Sequence, residues 1–178
     1  AEYIDDRGDV FHRNHHGYGY RLGQLINTTG RNDILTTKVA NDGKTLYFYV
    51  RTAEPISPYS DSLWMRLFLD VKGSDRGTWE GFQYVINNRV ENDRETHLEM
   101  CLNGWNWRDL GTIAYRIQGN EMVVAVPMSF IGIDNPKKFT VDFKWVDNAV
   151  KSGDIQECMS DGDAAPNGRF RYRYTFGK

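Results

Sequence analysis

Two tryptophans stand one residue apart in CLNGWNWRDLG (101–111), between a glycine and a polar run. In an extended chain, residues i and i+2 face the same side. Trp105 and Trp107 are therefore expected to project together from the rim of a sheet. Trp79 lies in another turn-like stretch, GTWEG. An indole near a loop suits a sugar, because the C–H face of a pyranose stacks on the ring. The sugar's hydroxyls then need amide, carboxylate or guanidinium partners. Glu80, Asn103, Asn106, Arg108 and Asp109 stand beside these tryptophans. The competing expectation is that the indoles plug the open end of a sandwich.

Other residue types point to other chemistry. FHRNHHGYGYR carries His12, His15 and His16, and imidazoles can bind zinc. Yet the flanks are rich in glycine and tyrosine and do not read as a helix. No HExxH glutamate accompanies them, so the reading is a polar loop. There is no GxSxG elbow, no CxxC and no Walker loop, so nucleophilic and phosphate-loop chemistry find no support. Ser129 reads as a helix-capping hydroxyl.

Carboxylates are plentiful: Asp70, Asp75, Glu80, Glu91, Asp93, Glu95, Asp147, Asp154, Asp161 and Asp163. A glycosidase needs two of them across a cleft. The sequence places no such pair. DVKGSD and DGDAAPN could instead supply oxygen ligands to a structural calcium, without EF-hand spacing. Solvated loops are the plainer account, and no other cofactor is indicated. Cys101 and Cys158 could pair, but two cysteines make no framework, and unpaired thiols are the simpler expectation.

The elements that must position these groups are strands. The chain has 178 residues, with 10 Tyr, 9 Phe, 5 Trp and 17 Gly, and a formal net charge of -2. That length suits one domain, 1–178. The charge gives no basic field for nucleic acid. No stretch approaches the roughly 20 apolar residues of a membrane span. AEYIDDRGDV is acidic and polar and does not read as a secretion signal.

DILTTKVA (33–40), a turn at NDGK and TLYFYVRT (45–52) read as a β-hairpin. After a loop with two prolines comes SLWMRLFLDV (62–71), in which Leu63, Met65, Leu67, Leu69 and Val71 alternate toward a core. Strands follow at 82–88, 96–102, 113–118, 122–127, 138–147 and 169–176. A short helical turn is expected at 128–133. Trp145 shares a face with Phe139, Val141 and Phe143 and is expected in the core, while Trp64 is ambiguous. The expected fold is all-β, an antiparallel, jelly-roll-like sandwich.

The order DGKTLYFYVRT, a Pro-rich loop, DSLWMRLFLD, GNEMVVAVPMSFIGI and FTVDFKWVDNA resembles a family 9 carbohydrate-binding module, and more broadly the DOMON-like sandwiches. HRNHHGYG, NTTGRNDI, WEGFQYVIN and GDAAPNGRF extend the likeness from about Gly8 to Tyr174. The resemblance implies a non-catalytic, polysaccharide-binding accessory domain of a secreted, periplasmic or cell-surface bacterial protein, attached to a catalytic domain. Such modules grip a chain end between two tryptophans. Here those positions fall near Tyr59 and near Cys158 and Met159. The family's acidic strand residue is matched by Arg66. The binding candidates are then Tyr59, Arg66, Trp79, Glu80, Asn103, Trp105, Trp107 and Arg108. Two other readings stay open: a structural module packed on a catalytic domain, and a small glycan-processing enzyme.

Overall fold

A computed structural model describes residues 1–10, 13–16, 23–74, 76–151 and 153–177. His12 and Asp75, named above as a zinc-ligand candidate and a carboxylate, lie outside them. The chain is nearly all β, with 52% strand and 5% helix, and forms an antiparallel sandwich. The strands are β1 (Glu2–Ile4), β2 (Arg13–His16), β3 (Gln24–Asn27), β4 (Ile34–Asn41), β5 (Thr45–Thr52), β6 (Arg66–Val71), β7 (Tyr84–Val90), β8 (Glu95–Asn103), β9 (Asn106–Gln118), β10 (Glu121–Pro127), β11 (Phe139–Asp147), β12 (Asp163–Ala165) and β13 (Tyr172–Phe176). Ten follow one hydrogen-bonded path, β1-β4-β5-β10-β9-β8-β7-β6-β11-β12. β13 adds to β11, and β2 pairs with β3 in a separate ribbon.

Period-two alternation builds the layers. In β5, Leu46, Phe48 and Val50 are buried, while Tyr47, Tyr49 and Arg51 face outward. In β10, Met122, Val124 and Val126 point in and Glu121, Val123 and Ala125 point out. The inward residues of β4, β5 and β10 meet Leu67, Leu69, Val141, Phe143 and Trp145 of β6 and β11 in one core. Phe48 meets Phe143 edge-on across the layers, ring centroids 5.5 Å apart. Trp145 is fully buried, as expected, and its Nε1 donates to Thr37 Oγ1.

β9 carries the chain from one layer to the other. Its first part, Asn106–Ala114, pairs with β8, and its last, Tyr115–Gln118, pairs with β10. The change falls between Ala114 and Tyr115; Gly111, at the register shift opposite Leu98 and Glu99, has a φ of 122° that is costly for any residue with a Cβ.

Three expectations need correction. The strand expected at 62–71 begins only at Arg66. Leu63 and Met65 have φ of 58° and 36°, left-handed values that no strand adopts. Asp147 anchors this distortion by accepting the Met65 N–H. Leu63 is consequently half-buried, whereas Trp64 is buried and donates to Ser57 O. The strand expected at 113–118 starts seven residues earlier, at Asn106, because β8 and β9 form a tight hairpin closed by Asn103 and Asn106. Trp107 thus lies within the ladder, paired with Cys101, and does not precede it. The strand expected at 169–176 begins only at Tyr172. The hairpin at 33–52 and the short helical turn, a 3₁₀ turn at Met128–Ile131, form where expected.

Candidate functional site

The outer face of β5, β10 and β9 forms an open trough of about 850 Å³. Its floor is made of small side chains, Ala114, Val123 and Ala125. Tyr47 and Tyr49 make one wall. The opposite wall is the turn 92–95 between β7 and β8, with Arg116 beside it. A second hollow of about 580 Å³ shares Asp93, Arg94, Tyr115 and Arg116 with the first and continues to Pro58 and Tyr59.

Each wall is held in place. Tyr47 Oη donates to Asp42 Oδ2 at 2.8 Å, and Asp42 is itself fixed by the N–H groups of Lys44 and Thr45. Tyr49 Oη donates to Glu121 Oε1 at 2.8 Å, which tethers the ring toward β10. Burial, then the Glu121 bond, pushes the Tyr49 pKa up to about 12, so the phenol stays a neutral donor. Lys38 Nζ sits 5.5 Å from the Tyr49 centroid, on the β4 side. In the opposite wall, Asn92 Oδ1 accepts from the N–H groups of Arg94 and Glu95, and its Nδ2 donates to Glu95 Oε2. Tyr115 Oη donates to Asn92 O, and Tyr115 N to Arg94 O, which locks the turn against β9. The guanidinium groups of Arg94 and Arg116 make no hydrogen bond or ion pair among the described residues, so their donors face open space.

The sequence candidates fall in two places. Tyr59, exposed in its loop, lines the second hollow beside the trough. Arg66, Trp79, Trp105 and Trp107 come together on the outer face of the other layer. There they join a second apolar cluster with Phe68, Phe82, Cys101 and Cys158. Trp79 is 4% exposed, and its Nε1 donates to Gly153 O at 2.6 Å. Trp105 meets Trp79 edge-on at 4.6 Å and Trp107 at 5.4 Å. Both hairpin indoles are half-buried, a lid on the cluster at the rim of the sheet. Arg66 lies under this lid, 2% exposed and over the Trp105 ring, and donates to Ala149 O. Burial pulls its pKa down to about 10. Neither Arg66 nor Trp79 presents a face to solvent. Glu80, Asn103 and Arg108 are exposed around this region. Glu80 has a φ of 49°, and its carbonyl accepts from Arg171.

The carboxylates divide by environment. Asp70 pairs with Lys72 at 2.5 Å and with Arg171 at 3.1 Å, so DVKGSD spends its first carboxylate on cations of the chain. Asp147 is buried against Arg31. Glu91 and Asp109 flank the two ring nitrogens of His97 at 3.1 and 3.0 Å. Asp163, from DGDAAPN, meets Asp5 and Asp9, with one oxygen of each within 4.8 Å of the others. Burial raises the Asp163 pKa to about 8, and burial with Asp9 raises that of Asp5 to about 7. Asp5 Oδ2 and Asp9 Oδ1 are buried without a hydrogen bond. Among the described residues these three are the ones that could hold a hard cation such as calcium. His15 and His16 lie exposed on β2. Cys101 and Cys158 are both buried and unpaired.

No family model, no curated protein and no solved structure matches this chain. Among the described residues, no helix is long and apolar enough to cross a membrane.

Proposed function

We propose that this chain is a non-catalytic carbohydrate-binding domain, accessory to a secreted bacterial glycan-degrading protein, and that it binds sugar in the trough of β5, β10 and β9. One observation carries the reading. Two anchored tyrosine rings face unpaired guanidinium groups across a floor of small side chains. Apolar platforms with convergent donors and acceptors are what a pyranose needs. Two of the trough's carboxylates, Glu95 and Glu121, are already engaged by Asn92 and Tyr49, which suits binding better than acid–base work. The order of strand segments, similar to that of family 9 modules, supports the same class.

The experiment is a glycan array on the purified domain, with and without calcium, followed by titration of the best hit. Wild type binds, and Tyr47→Ala and Tyr49→Ala each weaken binding about tenfold, or about 1.4 kcal/mol. An array without a hit would sink the reading. It would leave the structural module packed on a catalytic domain as the reading to test.

A further inference from the structure

Resting on that carbohydrate reading, the geometry points to a mode of recognition: we infer that the trough takes an extended interior stretch of an uncharged polysaccharide, and not a chain end. Three observations carry this. The first is extent. The trough alone, about 850 Å³, lies near the top of the roughly 300–1,000 Å³ that accommodates a drug-sized ligand. It shares Asp93, Arg94, Tyr115 and Arg116 with the neighbouring hollow of about 580 Å³ at Pro58 and Tyr59. A single sugar would leave most of that surface wet.

The second is repetition. Tyr47 and Tyr49 occupy alternate positions on one strand face, so their Cα atoms are about 6.6 Å apart. Both rings have their hydroxyls tied back, to Asp42 and to Glu121. Lys38 covers the Tyr49 flank toward β4, which leaves the side toward Val123 and the floor. Two platforms in sequence along one wall match a ligand that repeats along its own axis. The floor residues Ala114, Val123 and Ala125 are too short to act as an end stop.

The third is charge. The charged lining residues are Asp93, Glu95, Glu121, Arg94 and Arg116, of both signs and interspersed. No single-sign field is present to draw an anionic polymer. Mixed guanidinium and carboxylate groups pair instead with hydroxyls, which both donate and accept.

The test uses the whole chain and neutral oligosaccharides from the polymer that scores best, from disaccharide to hexasaccharide. Each is offered with its reducing end intact and after reduction to the alditol. Affinity should rise at least about tenfold with length, and reduction should change it less than about twofold. Tyr47→Ala and Tyr49→Ala should lower hexasaccharide affinity more than disaccharide affinity, with melting temperature kept. Polygalacturonate should bind no better than the neutral polymer. Any of three results overturns the inference while leaving carbohydrate binding intact: a disaccharide as tight as the hexasaccharide, loss of binding on end reduction, or a preference for the acidic polymer. Absence of binding to every glycan overturns the underlying reading instead.

Discussion

Replacing Trp79 by alanine should be among the most damaging single changes outside the main core. Its indole is 4% exposed and touches Phe68, Phe82, Trp105 and Trp107. Truncating a buried tryptophan costs about 3–5 kcal/mol. The change also leaves Gly153 O without its donor, worth about 1 kcal/mol. About 4 kcal/mol is therefore expected. Trp105 and Trp107 are half-buried in the same cluster, so each should lose roughly half as much, about 2 kcal/mol. For a chain of this size 1 kcal/mol moves the melting temperature by about 2–4 °C. The forecast is a drop of about 8–16 °C for Trp79→Ala and about 4–8 °C for the other two, read by circular dichroism and checked by urea unfolding. A Trp79→Ala protein melting within about 2 °C of wild type would refute the packing argument. So would a Trp105 variant falling as far as Trp79. The same three variants locate the ligand. Sugar affinity that survives in Trp105→Ala and Trp107→Ala belongs to the trough, and affinity lost there belongs to the indoles.

Stability should fall as pH rises from about 4 to about 8. Burial raises the folded pKa of Asp163 to about 8 and of Asp5 to about 7, above the usual value near 3.8, so the native state holds protons that the unfolded chain has released. Lys144, lowered by burial to about 8, works in the opposite direction above that pH, so the decline should level off near pH 8. Urea titrations across pH 5–9 check this, and Asp5→Asn should flatten the decline; a stability that climbs steadily through this range contradicts it. Calcium should raise the melting temperature more at pH 8 than at pH 5, because it favours the ionised carboxylates of Asp5, Asp9 and Asp163. Equal curves in calcium and in chelator dispose of the metal. Cys101 and Cys158 should resist a thiol reagent in the native state and react in urea, since burial pushes the Cys158 pKa up to about 11. Stoichiometric labelling of both within minutes under native conditions would contradict their placement.

The fold was legible where strands alternate over several residues. TLYFYVRT states both faces of β5, and the same alternation already assigns Tyr47 and Tyr49 to the outside. What period two could not say is that β9 and the turn 92–95 would complete a trough around them, since that depends on non-local pairing. β1, β2, β3 and β12 are three or four residues long, too short to show a period. The left-handed Leu63 and Met65 were hidden because an apolar alternation continued through them, while the Asp147 side chain that anchors the distortion is 82 residues away from Met65 in sequence. The tryptophans near loops drew attention by composition. Their degree of burial depended on a second apolar cluster, on the outer face of β6–β9, that a single-core sandwich does not lead one to expect.

The placement of the indoles gives the molecule two optical regions. Trp79, Trp105 and Trp107 stand close enough to share excitation, packed edge to face. Their emission reports the integrity of one outer face. The trough, by contrast, is lined by tyrosine and by no tryptophan. The indole nearest to it is Trp64, which lies behind Tyr115, 5.8 Å between centroids. A ligand in the trough would leave the bright tryptophan signal almost unmoved and would quench tyrosine. Unfolding would shift the tryptophan signal, so the indole channel of one fluorimeter separates unfolding from binding.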